Sequence, residues 1–496
     1  MGKYLLSVDN GLTTTKSVIF TLNGKEVASS LVDTVVESLG ERAEIDMELQ
    51  WKYTAGVIRD TVLKSGVNPS DIIGIGNSGH GAGLYCLDRE NRPVRKAISS
   101  MDARANGILE QWRKEGRSPF ERLHQNFWSG QAIPVLNWLK TNEPDSYNRI
   151  DKLFMVKDWI IYKLAGTSGL EYTDASNSGL INPVTKEIDR ESLEQFGVGE
   201  IFERIPALRK TTDIAGYVTK QAEKETGLKA GTPVMGGVFD CISCALGSGV
   251  VGNDQYSLIA GTWNVNSGIE DTLIPRGGTI KCSLYTDINR YFYVESSATS
   301  AVNLEWFIRN VINGFSPVEG STREIYGIID QGVRKIGPAD SGILYTPFLY
   351  ESHLAKGLSG SFWGIKPEHN VYHMLRAIFE GVAFAHLKHV ENLKKVGIVR
   401  NKAVLSGGAS KSDLWCQIFA DVLGMEIATT ESRQGGALGA AICTAVAMSC
   451  YRDEKAAVQA MVREKGTYYP NQENNEVYRK KYMEFNKIIE LFDNRQ

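Results

Sequence analysis

Two stretches of this 496-residue chain run an apolar strand into a turn bearing Gly and Thr, then straight back into a second apolar strand. In the first, KYLLSVD enters the turn NGLTTTK, SVIFTLNGKEVAS leaves it, and Asn23-Gly24 then turns the chain into a third run. The second, NDQYSLIAGTWNVNSG, spans Asn253 to Gly268, at the midpoint. Apolar runs joined by such turns read as a β-meander. That argues against a P-loop or a dinucleotide fold, whose glycines lie where a strand meets a helix. Two similar starts half a chain apart predict two halves that are structural repeats of one another. A 42% hydrophobic fraction over this length supplies the cores for two domains of roughly 250 residues each.

The formal net charge is only −3, and no block of like charges suggests nucleic acid as a partner. A small molecule fits better. Met1-Gly2-Lys3 leads directly into a strand pattern rather than into a secretory signal. The longest apolar stretch, GGALGAAICTAVAM from Gly435 to Met448, is too short and too rich in Gly and Ala for a membrane span, and reads as a close-packed core helix. Seven cysteines scattered along the chain make no disulfide framework. Cys241-Ile242-Ser243-Cys244 lacks the second pair a zinc site needs and reads as two small residues in a helix. A reducing cytoplasm is the expected location.

Between the two starts, Met47 to Ser65 is amphipathic and Asp71 to Gly76 reads as a strand. Helical patterns follow at Ala105 to Trp112, Pro134 to Lys140 and Lys157 to Leu164. The last third is mainly helical, clearest at Tyr372 to Lys395 and Asp413 to Val422, with a strand at Ala403 to Leu405 leading into Gly407-Gly408.

The chemistry-bearing residues sit at these turns. A tight turn with Gly11 can point backbone N–H groups at an anion, and Thr13, Thr14 and Thr15 add hydroxyl donors. Lys16 adds charge, and Asp9 at the strand end can hold a hydrated divalent cation. A solvated hairpin tip explains the same residues. In GGVFD, Asp240 closes an apolar run just before a helix, where it can accept a proton from a hydroxyl or simply cap that helix. Gly261-Thr262 repeats the hairpin with a hydroxyl, and the backbone of Ser406 to Ser410 can approach a flat ring or a phosphate closely.

These residues carry a resemblance. Gly360-Ser361-Phe362-Trp363-Gly364-Ile365, a seven-residue gap and His373-Met374-Leu375-Arg376-Ala377-Ile378-Phe379-Glu380 resemble the C-terminal signature of the FGGY family of carbohydrate kinases. DNGLTTTK, MDAR, GGVFD, AGTW, LSGGASKSDLW and GALGAA match in order along nearly the whole chain. NLEWF, TPFLYES and AGTWNVNSG resemble its L-xylulose kinase and xylulokinase branch.

The resemblance implies an α/β protein of two actin-like, ribonuclease-H-like domains closing on a cleft: residues 1–248 for the sugar and 249–496 for ATP. It makes Asp240 the general base and places Mg2+ at Asp9 and Asp240. Gly11, Thr13, Thr14, Lys16, Gly261 and Thr262 face the phosphates, while Gly407, Gly408, Ala409 and Ser412 match the adenosine-side turn. On the sugar side stand His80, Gly81, Asp102 and Arg104, with Phe127-Trp128 as an aromatic wall. Each has a plainer reading: Arg104 as a surface ion pair, Trp128 as core. His80, in a glycine-rich strand end, reads as more exposed than a core histidine. A homodimer is expected by family analogy.

Departures fall in the pocket. Leu12 replaces a family Thr, and the Lys of an earlier family signature appears as Val135 within Ala132 to Asn142. In Ser78-Gly79-His80-Gly81-Ala82-Gly83, His80 falls where xylulokinases have Gln and Ala82 where they have His. The expected activity is ATP-dependent phosphorylation of a small ketose, a pentulose such as L-xylulose, with D-xylulose, another ketose, glycerol or erythritol as alternatives. A silent actin-like sugar sensor and an actin-like ATPase are readings from other classes.

Overall fold

A computed structural model describes residues 2–275, 280–313, 322–350 and 357–493. Met1, and Glu351 and Ser352 of the TPFLYES segment, lie outside these residues. The chain forms two compact units. Unit 1 comprises Met1–Val251, Ile269–Tyr293 and Gln434–Arg463; unit 2 comprises Gly252–Gly268, Val294–Arg433 and Glu464–Gln496.

Unit 1 is built on β1 (Tyr4–Asn10), β2 (Thr14–Thr21), β3 (Glu26–Asp33), β4 (Ile72–Gly79), β5 (Ile214–Tyr217), β6 (Pro233–Met235) and β7 (Val238–Phe239). The spatial order is β3-β2-β1-β4-β6-β5, with β7 also on β4. β1, β2 and β3 form the antiparallel meander, and β4 runs parallel to β1. Leu5, Leu6 and Val8 are fully buried, as a central strand covered on both faces requires.

Unit 2 carries β8 (Tyr256–Ala260), β9 (Asn264–Glu270), β10 (Tyr291–Ser297), β11 (Lys402–Gly407), β12 (Glu426–Thr430) and β13 (Glu464–Tyr468). Their order, β10-β9-β8-β11-β12-β13, repeats that of unit 1 over the first four strands; the antiparallel edge strand follows its neighbour in the chain here and precedes it in unit 1, and Lys281–Leu284 adds a strand beside β10. In each unit a hairpin strand pairs with a parallel strand (β1 with β4, β8 with β11), and an antiparallel edge strand closes that side. The echo between the two turn motifs is therefore an echo of topology.

Helix limits follow local signals. Asp46 caps the helix Met47–Ser65 by accepting the Leu49 N–H at 2.9 Å, and Gly66, at φ 63°, ends it in the left-handed region. Other helices extend one or two residues beyond their apolar patterns, as in Asn106–Lys114, Ala132–Asn142 and Val156–Ala165. β4 differs more. The strand starts at Ile72, after a short 3₁₀ turn at Pro69–Asp71, and runs on to Gly79, taking in the polar residues Asn77 and Ser78.

The Gly- and Ala-rich stretch forms the helix Gly435–Ala447 within unit 1, packed on β1, β4 and the helix Asp240–Gly247. Its glycines allow that approach: a Cβ on Gly439 would stand 1.8 Å from the Ser243 carbonyl oxygen, and the Ser243 hydroxyl donates to the Gly436 carbonyl at 2.6 Å. Among the described residues no helix is long and apolar enough to cross a membrane. All seven cysteines are free, and Cys241 and Cys244 lie in the helix Asp240–Gly247, their thiols pushed well up by burial.

Candidate active site

In unit 1 three parallel strands end together. Asp9 of β1 lies opposite Ser78 of β4, which in turn pairs with Val238 of β7, one register step before Phe239 opposite Gly79. The next residues off these strands are the Gly11 turn, His80-Gly81 and Asp240. Side chains just past the carboxyl ends of parallel strands gather at one sheet edge, where α/β sheets bind ligands.

The opening turn separates its hydroxyls. The Gly11 N–H donates to the Thr14 carbonyl at 3.0 Å, and the Thr34 hydroxyl donates to the Gly11 carbonyl at 2.9 Å. Thr15 is buried and accepts from the Gln50 amide at 3.1 Å, so it belongs to the core. Thr13 is exposed and Thr14 half-buried, which leaves these two available to a ligand. Lys16 pairs across the hairpin with Asp9 in register, and its charge lowers the Asp9 proton affinity against a larger rise caused by burial.

Asp240 occupies the first position of its helix. The N-cap is Phe239, without a side-chain cap bond, so the carboxyl is not spent on capping. It remains partly accessible, and burial followed by the Asp9 charge pushes it up to about 7. The Asp9 charge raises the cost of ionising Asp240, and two such carboxyl groups make an oxygen donor set suited to a hard, hydrated cation. Gly436 leaves the room: a Cβ there would stand 2.5 Å from Asp9 Oδ2. These residues fit Mg2+.

A polar network behind these ends was not legible in the sequence. The Asn10 amide donates to Asn77 Oδ1 at 2.9 Å and accepts from Thr54 at 3.1 Å, while the Asn77 amide donates to the Lys157 carbonyl at 2.8 Å. Lys157, Asp158, Glu171 and Asp174 form a fully buried charged cluster nearby in sequence terms only to one another. The polar pair in NSG at the end of an apolar strand was the one available signal.

The sugar-side candidates are all in unit 1, but two sit differently from expectation. His80 is 2% exposed rather than open: its N–H donates to the Asn10 carbonyl at 2.9 Å, which draws the residue under the sheet edge. Neither ring nitrogen has a hydrogen bond of good geometry, and burial lowers its pKa to about 4, so the imidazole is neutral at neutral pH. Arg104 is buried, not a surface ion pair. It grips Asp102 through Nε at 2.8 Å and Nη2 at 2.8 Å, reaches Glu44 at 2.5 Å and lies over the Trp138 ring. Asp102 also accepts the Ala43 N–H at 2.7 Å, so the pair ties down the strand at Arg42–Ile45. Arg104 Nη1 has no hydrogen-bond partner among the described residues. Phe127 packs on Trp112 and Phe196, whereas Trp128 is half-buried under the Lys281 ammonium, 3.9 Å from its ring centre. Gly81 has no room for a side chain, since a Cβ would stand 2.4 Å from both Asn177 Nδ2 and Phe239 Cε2.

In unit 2 the second hairpin ends beside β11, with Ala260 opposite Gly407. Thr262 is exposed, its carbonyl accepts from the Ser300 N–H at 3.1 Å, and the Gly261 carbonyl accepts from Val302 N–H at 3.3 Å. Gly407 sits at φ 89°, and a Cβ there would press within 2.6 Å of the Ala260 carbonyl oxygen. Gly407 and Gly408 are exposed, so flat groups can approach their backbone, while Ala409 is buried beneath. The Ser412 hydroxyl caps the helix Asp413–Leu423 and donates to Asp330 at 2.7 Å.

Residues 4–247 match the FGGY family of carbohydrate kinases, N-terminal domain, and residues 334–448 match its C-terminal domain. The chain belongs to the FGGY family. It is thus an ATP-dependent sugar kinase by family. This FGGY kinase is 35% identical to the "Probable L-xylulose kinase" of Pasteurella multocida over 88% of the chain and 89% of that protein. It is 32% identical to the "L-xylulose/3-keto-L-gulonate kinase" of Escherichia coli over 99% and 97%. The fold matches the ligand-bound xylulose kinase of Lactobacillus acidophilus at a TM-score of 0.88, 22% identity and coverage of 98% and 97%. Plasmodium falciparum glycerol kinase with ADP matches at a TM-score of 0.85, 18% identity and coverage of 99% and 98%. The kinase therefore has the two-domain actin-like fold.

Proposed function

We propose that this kinase transfers the γ-phosphate of ATP to a hydroxyl of a small ketose, a pentulose of the L-xylulose type, with Asp240 as general base. The observation that carries the base assignment is a partly accessible carboxyl, free of capping duty, at the end of β7 and raised to about 7 by burial and Asp9. A base is most effective with a proton affinity near the working pH. The pentulose assignment is supported by relatives at 32% to 35% identity that bear L-xylulose kinase names.

In this reading the sugar lies among His80, Gly81 and Trp128 of unit 1, within residues 1–248, and adenosine lies on Gly407, Gly408 and the Ser412 turn within residues 249–496. Thr13, Thr14 and Thr262 donate to phosphate oxygens. Phosphoryl transfer asks for in-line positioning and charge stabilisation more than covalent help. Mg2+ held through Asp9 and Asp240 supplies that charge when bound. Asp240 takes the proton of the attacking hydroxyl as that hydroxyl's oxygen bonds to the γ-phosphorus and the bond from that phosphorus to the bridging oxygen breaks, releasing ADP.

Release of ADP with Mg2+ and ATP, measured against ketopentoses of both hands, ketohexoses, keto-sugar acids, erythritol and glycerol, tests this assignment. L-xylulose or a related pentulose is the expected strongest responder. A response to glycerol or erythritol alone would reject the pentulose, and silence across the panel with ATP still bound would favour a sensor.

A second prediction concerns Gly436. Because the three heavy atoms nearest its added methyl all belong to the Asp9 carboxyl, Gly436→Ala is expected to fold normally. Its half-saturating Mg2+ concentration should rise severalfold and its kcat should fall about tenfold, since a displacement of about 1 Å at a reacting centre can cost up to about a hundredfold. Unchanged Mg2+ dependence in a titration would separate Asp9 from the metal.

A further inference from the structure

The helices Val156–Ala165 and Tyr172–Asn177 place one lysine among three carboxylates in the interior of unit 1. Lys157, Asp158, Glu171 and Asp174 are all fully inaccessible. The Lys157 ammonium is 2.9 Å from Asp158, 3.6 Å from Glu171 and 3.7 Å from Asp174. Taking charges out of water is costly unless each is paired and hydrogen-bonded, so such a cluster calls for a reason.

Two of the acids have local work. Glu171 caps its helix by accepting from the Thr173 N–H at 2.9 Å, and also accepts from the Thr211 hydroxyl at 2.8 Å. Asp158 accepts from Lys157 and from the Glu171 N–H at 3.2 Å. Asp174 reaches further. Its Oδ1 accepts the Ala82 N–H at 2.9 Å, 92 residues away in sequence, as well as the Ser178 hydroxyl at 3.4 Å, and its buried Oδ2 has no hydrogen-bond partner among the described residues.

Ala82 is an unusual place for such a bond. It stands at φ 60° and Gly83 at φ 80°, two successive residues in the left-handed region. For alanine that conformation is unfavourable and persists only where the surroundings hold it. The same short helix also grips the residue before Asp240: the Phe239 N–H donates to the Thr173 hydroxyl at 2.9 Å. A Cβ on Gly81 would meet both Asn177 of this helix and Phe239 at 2.4 Å. One helical turn thus touches both the His80–Gly83 turn and the strand that delivers Asp240.

We propose that Asp174 is a positioning residue for the reaction: through the Ala82 N–H it holds the turn carrying His80 and Gly81 in a fixed place relative to Asp240, with Lys157 as its buried counter-charge. This rests on the assignment of that turn to the sugar. Asp174 itself touches no reacting atom, and its effect is on where the sugar sits.

The test compares Asp174→Asn with Asp174→Ala. Asparagine keeps an oxygen that can accept from Ala82, and Lys157 keeps Asp158 and Glu171, so kcat and the sugar KM are expected to stay within about threefold of wild type. Alanine withdraws the acceptor, and the sugar KM is expected to rise by about tenfold to a hundredfold while the ATP KM stays within about twofold. Hydrogen exchange is read in parallel without sugar, in a peptide covering residues 78–85. Alanine should speed exchange there, with the rest of unit 1 unchanged. If the alanine variant does not accumulate as folded protein, Asp174→Ser, whose hydroxyl is too short to reach Ala82, takes its place in both measurements. Equal losses in the asparagine and alanine variants, an unaltered sugar KM, or exchange accelerated throughout unit 1 would each overturn the positioning role. Wild-type silence on every sugar removes the assignment of function instead, and the exchange result still decides whether Asp174 holds the turn.

Discussion

Asp240→Asn loses about a hundredfold to ten-thousandfold in kcat, the span that a positioned general base contributes, while the sugar KM changes little. Asparagine has the same shape but cannot take the hydroxyl proton. The variant also separates this role from a structural one, because its stability should move the other way. The carboxyl has a folded-state pKa of about 7 against an ordinary value of 3.8, owing first to burial and then to Asp9. An acid raised in this manner favours the folded state below its unfolded pKa and loses that contribution as pH climbs through the folded one. In metal-free buffer at pH 8 the wild type therefore carries a charge it would rather shed, and the amide does not. Thermal melts should show Asp240→Asn at or above the wild-type midpoint at pH 8, with a smaller gain at pH 5. A kcat within tenfold of wild type would remove Asp240 from the base role, and a lower midpoint at pH 8 would mean that the carboxyl supports the fold.

Gly439→Val is the change with the largest expected effect on folding. A Cβ at this position would lie 1.8 Å from the Ser243 carbonyl oxygen, which is backbone within the helix Asp240–Gly247 and cannot swing aside. The helix Gly435–Ala447, which also packs on β1 and β4, must shift as a body. Overpacking of a tight core costs about 3 kcal/mol at the upper end, enough to lower the midpoint of a unit of this size by about 5 °C. Gly107→Ala serves as the control: nothing lies within 4 Å of its Cβ position, and the variant should melt no lower than wild type because alanine suits a helix interior better. If Gly439→Val melted like Gly107→Ala, the two helices would not be in the close contact described. The same displacement would also carry Gly436, so residual folded Gly439→Val should be impaired in activity.

The elements of this kinase were legible because their signals are local. An apolar run, Asn23-Gly24 and a second apolar run specify a hairpin by themselves, and Asp46 and Gly66 mark both ends of a helix within a few residues of each. The repetition of the turn motif at Gly11 and Gly261 foretold the repeated meander with its parallel partner strand, since a shared start constrains what can pair beside it. Asp9 and Asp240 stood out for the same reason, each an acid at the end of an apolar run. Thr13, Thr14 and Thr15 mark where this stops. Strand alternation says that neighbours face opposite ways, but only the packing of Gln50 on Thr15 decides which hydroxyl is lost to the core.

What the sequence by itself determined was the set of strands, turns and helices, the doubled architecture, and the two acids, Asp9 near the end of β1 and Asp240 at the start of the helix after β7. Only the tertiary structure decided the surroundings of those acids. His80 reads as open among its glycines yet is buried, because the parallel pairing of β4 with β1 hands its N–H to Asn10. Arg104 turned inward because Asp102 and Glu44 meet it there. The Asn10–Asn77 and Asp174–Ala82 bonds join residues 67 and 92 positions apart. Hydrogen bonds of that span leave no periodicity or spacing in the chain. They exist only once the sheet has brought its strand ends together, and that close approach of polar groups in a water-poor interior makes each one count.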